Sequence, residues 1–301
     1  MIQGVFTDAL FFMEILMTTL TFRGRPFQLN GFPKLMGILN VTPDSFSDGG
    51  STIPLKERIQ TLIAHGADII DIGGESTRPG SQEVPVEEEL HRVLPAVRAV
   101  RELSHDIFIS IDTRKSAVAE EALKLGADIV NDVSGFLFDP GLAEVTARYD
   151  AGAIIMHSRA TPDRMQAQEN LHYSGGLIET VIEELRIMVD NVLKAGVRRN
   201  AIILDPGIGF AKTAEQSAAL INEAEKLLKL GYPLLSGPSR KSFIGQIIRE
   251  PVASQRDYGT CGSTIASAVK GYGIIRIHNV KAASDALKVY YSCMGMKNGG
   301  K

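Results

Sequence analysis

One pattern recurs along the chain and limits what it can fold into: a short apolar run stops abruptly at polar residues, and an amphipathic segment follows. Residues 36–50 (MGILNVTPDSFSDGG) set the type. Their apolar run, 36–41, is broken at Asn40 and empties into a polar, glycine-closed loop that contains Phe46. The second run is 69–73 (IIDIG), followed by Glu75-Ser76-Thr77-Arg78-Pro79-Gly80. Run 107–111 ends at Asp112, 129–133 carries Asn131 and Asp132, and 153–156 ends at His157. Run 201–204 meets Asp205, 233–236 enters Gly237-Pro238-Ser239-Arg240-Lys241, and 274–277 holds Arg276 just before His278.

Helical spacing fills the gaps. Leu90, Val93, Leu94, Val97 and Val100 share one face behind Glu87, Glu88 and Glu89, acids placed where a helix dipole favours them. Ile178, Val181, Ile182, Leu185, Met188, Val189 and Val192 form a longer stripe closed by Gly196, and Thr213 with Gln216 fits a capping box. Further helices are expected near 55–65, 116–125, 141–149 and 281–291.

Eight such units with short connections predict a closed parallel (β/α)8 TIM barrel. The rival, an open doubly wound sheet, usually shows G-x-G-x-x-G after its first strand, and that fingerprint is absent. With 301 residues, 44% of them hydrophobic and 22% charged, the chain suits one barrel with a substantial core. Residues 21–29 (TFRGRPFQL), with Gly24 at their centre, predict a hairpin capping one end. The barrel domain is therefore expected over 21–301, and 1–20 is an N-terminal extension. That extension has an apolar stretch too short to span a bilayer, lacks a basic leader and carries Asp8 and Glu14; Met13 and Met17 are alternative starts.

A net charge of −3 and a pI near 6.1 argue against a nucleic-acid surface. No membrane partner is expected either. Cys261 and Cys293 have no metal-ligand spacing and read as reduced thiols of a cytoplasmic protein. Residues 206–213 (PGIGFAKT) mimic a phosphate loop, but Pro206 and Ala211 stand where it needs glycines. Asn40-Val41-Thr42 matches a glycosylation acceptor by chance.

The polar residues at the strand ends carry the chemistry. Alone, Asp112 or Asp205 would read as a helix cap and His157 as a satisfied structural histidine. Barrel topology instead aims them into one mouth. Asp112, Asn131 and Asp205 are acceptors with one amide that both gives and takes, suited to a flat heterocycle with adjacent amino and ring N–H groups. Lys241 offsets their charge. Arg78, Arg276 and His278, with Asn40 and the Thr77 hydroxyl, make a cationic half suited to phosphate oxygens. A neutral donor such as Asn40 suits Mg²⁺, which completes its shell with water and phosphate. The pocket is built for a nitrogen-rich ring tethered to a diphosphate.

The motifs GILNVTPDSFSDGG, DIGGESTRPG, SIDT, IVNDVSG, LDPGIGF, GPSRKSFIG and RIHNV, in this order from about Thr21 onward, closely resemble those of the dihydropteroate synthase family of pterin-binding enzymes. The resemblance implies a transferase that joins 4-aminobenzoate to 6-hydroxymethyl-7,8-dihydropterin diphosphate, a target of sulfonamides. It implies that Asp112, Asn131, Asp205 and Lys241 hold the pterin, with Met156 and Phe210 packed around it, and that Asn40 binds Mg²⁺. Thr77, Arg78, Arg276 and His278 would serve the diphosphate, and Phe46, Pro79 and Ser239 the aminobenzoate. Arg78, Lys241, Arg276 and His278 are the expected catalytic residues, and a homodimer through barrel helices is expected. The chain departs at Ala160 and Ala211, where glycine is usual, and at RIHN, where RVHD is commoner. A non-catalytic pterin-binding paralogue and a methyltetrahydrofolate:corrinoid methyltransferase are the alternatives.

Overall fold

The computed structural model describes residues 17–42, 53–76, 81–160 and 167–296. Antiparallel β1 (Thr19–Phe22) and β2 (Arg25–Gln28) form the expected hairpin, whose first strand begins at Thr19 and so straddles the boundary drawn at residue 20. Its turn residues, Arg23 and Gly24, have φ of 52° and 76°, as a two-residue hairpin loop demands. Glycine adopts this freely. Arg23 is held there by its N–H on the Asp150 carbonyl and its guanidinium on the carbonyls of Leu123 and Ala127, each at 2.7 Å.

Behind the hairpin stands the barrel, with β3 (Lys34–Asn40), β4 (Ile69–Gly73), β5 (Phe108–Asp112) and β6 (Ile129–Asp132). It continues with β7 (Gly152–Met156), β8 (Ile202–Asp205), β9 (Leu235–Ser236) and β10 (Ile274–Ile277). Every pairing is parallel, in the order β8-β7-β6-β5-β4-β3-β10-β9. The ring closes where Leu204 bridges to Leu234 and donates its N–H to the Pro233 carbonyl at 3.0 Å. Pro233 has no N–H with which to extend that ladder, so the seventh barrel strand is shorter than the 233–236 expected. The (β/α)8 barrel expected from the strand pattern is the fold.

Phe22 and Phe27 pack edge-on to Phe108, with centroids 5.8 and 5.0 Å away. Phe108 opens β5, and a Cβ added at Gly152, which opens β7, would strike the Phe22 ring at 2.6 Å. The hairpin therefore plugs the N-terminal end of the barrel. The opposite end is left for chemistry.

The helices are α1 (Leu55–Ala64), α2 (Val86–Leu103), α3 (Ser116–Lys124), α4 (Gly141–Arg148), α5 (Gln168–Leu171) and α6 (Leu177–Lys194). They continue with α7 (Ala214–Asn222), α8 (Ala224–Leu228), α9 (Ser242–Ile248), α10 (Asp257–Val269) and α11 (Val280–Cys293). The α6 stripe is buried except for Ile182, which is half-buried, and Thr213 and Gln216 make the full capping box. Helix α10 was invisible to hydrophobic periodicity. Its buried positions are Thr260, Thr264 and Ser267, small residues that seat the helix close to the barrel without an apolar stripe. Among the described residues, no helix is long and apolar enough to cross a membrane.

Candidate active site

Strand register sets Asn40 beside Gly73, Gly73 beside Asp112 and Asp112 beside Asn131, a row across four strands at their C-terminal ends. Met156 lies level with Asp205 in the next pair of strands. The strand ends therefore bring these candidates to one rim, as barrel topology requires.

Arg276 rises from β10 into this rim and is gripped by two acids. Its Nε donates to Asp71 and its Nη2 to Asp112, both at 2.6 Å. Asn131 turns its amide nitrogen to the same Asp71 carboxylate at 3.3 and 3.4 Å. Burial pushes the Asp112 carboxyl up to about 7; Arg276 opposes that shift, and Asp71, Glu89 and Asp132 add to it. Burial also disfavours the Arg276 charge, but Asp71 and Asp112 more than offset this and raise its pKa. The acidic and cationic halves of the pocket thus meet at Arg276. Sequence reasoning did not single out Asp71, although a carboxylate inside a fully buried five-residue strand signals a partner.

The opposite wall is Asp205 and Lys241. Asp205 accepts the Gly207 N–H at 2.7 Å. Burial raises its pKa against the pull of Lys241 and of that bond. The Lys241 ammonium donates to the Ile208 carbonyl and sits 4.3 Å from the centre of the Phe210 ring. Burial pushes it down to about 8, partly countered by Asp205 and reinforced by Arg276. A Cβ added at Gly237 would lie 3.7 Å from Lys241 Nζ and 3.8 Å from Asp205 Oδ2, so the glycine leaves open the space beside both charges.

Ser239 and His278 form a third unit. The His278 N–H donates to Ser239 Oγ at 3.0 Å, and the same oxygen lies 2.8 Å from His278 Nδ1. The Ser239 hydroxyl therefore touches both the backbone and the ring of His278, which fixes the position of the imidazole.

A buried network supports the loops beneath Phe210. His157 joins Glu184 through Nε2 (2.7 Å) and Lys212 through Nδ1 (3.0 Å), which satisfies both nitrogens. Burial and the neighbouring Lys212 push His157 down to about 4, so it is neutral. Burial also works against the Glu184 charge, but hydrogen bonds from His157 and Arg159 hold it at about 2. In this loop Ala211 has φ of 49°, whereas Ala160 does not adopt a positive φ. A left-handed alanine carries roughly 1–2 kcal/mol of strain. Ala211→Gly is therefore expected to raise stability by about 0.5–1 kcal/mol, after the greater chain entropy of glycine is subtracted, read as a higher thermal midpoint.

Phe46, Thr77, Arg78 and Pro79 lie outside the described residues. Asn40, Asp112, Asn131, Met156, Asp205, Phe210, Ser239, Lys241, Arg276 and His278 all stand on or just beyond C-terminal strand ends.

Fold and rim together define a barrel enzyme whose C-terminal mouth sets buried acids beside fixed cations. The chain belongs to the pterin-binding enzyme family, whose family model matches residues 36–278. It is similar to the dihydropteroate synthase of Synechocystis sp., with 47% identity over 258 residues, 85% of this chain and 88% of the relative. It is also similar to two solved structures. One is the Yersinia pestis dihydropteroate synthase with a sulfonamide drug, with a TM-score of 0.84 and 37% identity, covering 92% of this chain and 100% of that one. The other is the Xanthomonas albilineans dihydropteroate synthase in complex with 7,8-dihydropteroate, with a TM-score of 0.81 and 32% identity, covering 93% and 100%.

Proposed function

We infer that this chain is a dihydropteroate synthase: it condenses 6-hydroxymethyl-7,8-dihydropterin diphosphate with 4-aminobenzoate, giving 7,8-dihydropteroate and diphosphate for folate biosynthesis. The observation that carries this is one barrel mouth in which Asp112, Asn131 and Asp205 lie with Lys241 over the Phe210 ring, bordered by Arg276 and His278. Asp205 and Asp112 accept from the amino and ring N–H groups of the pterin, Asn131 completes the set, and Met156, Phe210 and Lys241 flank the ring. Ser239 serves the aminobenzoate, together with Phe46 and Pro79 as the sequence assigns them. The sulfonamide drug complex of the Yersinia pestis relative and the 7,8-dihydropteroate complex of the Xanthomonas albilineans relative support this activity.

The bond that breaks joins the pterin methylene to the diphosphate oxygen, and its electron pair leaves with diphosphate. Arg276 and His278 bind that leaving group, with Thr77 and Arg78 as the sequence assigns them; Arg276 is held in place before reaction by Asp71 and Asp112. The aryl amine then shares its lone pair with the methylene and loses a proton to solvent or diphosphate. No side-chain nucleophile is required.

Asn40 fits Mg²⁺. Its Oδ1 lies 3.6 Å from where a Cβ on Gly73 would stand, so the missing side chain leaves room beside that oxygen. Among the described residues, no group of three His, Cys, Asp or Glu could hold a metal. Beyond Asn40, Mg²⁺ would take the rest of its shell from water and substrate phosphate. When bound, Mg²⁺ supplies Lewis-acid stabilisation of the leaving group.

We also propose that the chain works as a homodimer in the cytoplasm. Helices α7, α9 and α10 border an apolar groove of about 530 Å³ lined by Ile221, Phe243, Ile244, Ile247, Ala266 and Val269. Ile247 is 64% exposed and Val269 55%. Helices of a second copy would remove this face from water. Sedimentation should show a dimer for the natural chain and a monomer for Ile247→Glu; an unchanged dimer would place the interface elsewhere.

The function is tested by incubating the protein with both substrates and Mg²⁺. Equimolar diphosphate and dihydropteroate are expected. Pterin binding without product would leave a non-catalytic binder, and indifference to diphosphate as a competitor would favour the methyltransferase. A pH profile tests the Lys241 assignment. Lys241 must be an ammonium to face Asp205, and its pKa stands near 8. So kcat/KM should fall above about pH 8, and Lys241→Arg should carry that limb to higher pH.

A further inference from the structure

The loops that follow β9 and β10 are tied together by a carboxylate on neither of them. Pro238-Ser239-Arg240-Lys241 turns sharply, with the Lys241 N–H on the Pro238 carbonyl at 3.2 Å. Arg240 sits inside this turn with φ of 58°, a left-handed conformation that disfavours a residue with a side chain. The turn sends its flanking residues to two places: Ser239 to His278, and Lys241 to the carbonyl of Ile208 above the Phe210 ring. Arg240 itself points to Asp257, the first residue of α10. Its Nε donates to Asp257 Oδ1 at 2.7 Å and its Nη2 to Oδ2 at 2.9 Å.

The same Oδ2 accepts the Asn279 amide at 2.9 Å. Asn279 follows His278 directly, and its Oδ1 caps α11 by accepting the Ala282 N–H at 3.1 Å. Thr260 and Arg256 complete the clamp on the Arg240 backbone, at its N–H (3.1 Å) and carbonyl (3.0 Å). Two parallel ties therefore join the loops, Ser239 to His278 and Arg240 to Asn279 through Asp257. Partly exposed ion pairs usually contribute little, but bidentate arginine pairs within a network are the exception. Here the pair also holds a strained residue in place.

We propose that Asp257 is a positioning residue for the condensation: it fixes the spacing between the loop carrying Ser239 and Lys241 and the loop carrying His278. This rests on the roles given to those three residues above. Asn279 is part of the device. An aspartate there would set a second carboxylate against Oδ2, whereas the asparagine amide donates to it. Since Arg240 and Asn279 share that one oxygen, the negative charge should work from either position. Either residue type also caps α11.

The test is an exchange of charge, with steady-state kinetics for both substrates and thermal midpoints. Asp257→Asn is expected to lower kcat/KM about ten- to a hundredfold, the cost of a misplaced catalytic group. Asn279→Asp alone should also lose activity, by pairing two acids. The double variant Asp257→Asn/Asn279→Asp should recover to within about threefold of the natural chain, a strong positive coupling. A double variant no better than Asp257→Asn overturns the proposal. So does an Asp257→Asn protein whose midpoint drops while its kcat/KM is unchanged, since that marks a purely structural residue. His278→Ala separates the two levels. If it is impaired while Asp257→Asn is not, this inference alone fails; if it is fully active, the role of His278 fails and carries the inference with it.

Discussion

Arg276→Ala is expected to lower kcat by on the order of 10²–10³-fold and to destabilise the fold by about 3–5 kcal/mol. Both effects have one origin. The guanidinium compensates two buried carboxylates, with Asp71 fully buried and Asp112 8% exposed. Removing it leaves both without their cation, and a buried unpaired charge is costlier than the pair was favourable. The loss should depend on pH in a definite sense. Asp112 already titrates near 7 because of burial, with Arg276 holding it down. Without Arg276 the folded-state value climbs further above that of the unfolded chain. Stability then falls as pH rises through that interval, so the variant should melt at higher temperature near pH 5 than near pH 8. Arg276→Lys keeps one charge but not the fork between two acids, and should fall between the two in stability and in rate.

Asp205→Asn is expected to weaken pterin binding and to reduce kcat/KM by roughly 10²–10³-fold while the fold survives, by analogy with loss of a preorganised charged partner. The amide keeps an oxygen for the Gly207 N–H, so the local backbone has no reason to move. What disappears is the charge opposite the buried Lys212 and the half-buried Lys241. Burial lowers Lys212 to about 7 and Lys241 to about 8; Asp205 pulls both back upward, joined at Lys212 by Glu184. Without it the ammonium of Lys241 is harder to keep, and the alkaline limb of kcat/KM should move below about pH 8. Unchanged kinetics in this variant would remove Asp205 from the pterin site.

The sequence was most informative where polarity changes abruptly. Asp112, Asn131, Asp205 and Arg276 interrupt apolar runs that have no other reason to carry them, and parallel register alone brings such ends to one rim. Asp71 escaped notice because it sits two residues inside its strand, where periodicity reads only an apolar run. Its meaning lies in Arg276, 205 residues away. Helix α10 escaped because close packing against the barrel selects Thr260, Thr264 and Ser267 over a leucine stripe. Asp257 was unreadable for a related reason. Nothing local separates a carboxylate that clamps Arg240 from one that merely favours the first turn of a helix. Ala211 was legible as a departure, but only backbone geometry shows that it bears a positive φ while Ala160 does not.

The claim beneath all of this is that carboxylates and cations from distant strands form one pocket for one ligand, ring on the acids and diphosphate on the cations. Calorimetric titration with 6-hydroxymethyl-7,8-dihydropterin and with its diphosphate tests it most directly. Asp205→Asn should weaken both ligands by similar factors, and His278→Ala should weaken the diphosphate form alone. Full affinity of Asp205→Asn for both ligands, or equal losses for both in His278→Ala, would contradict it.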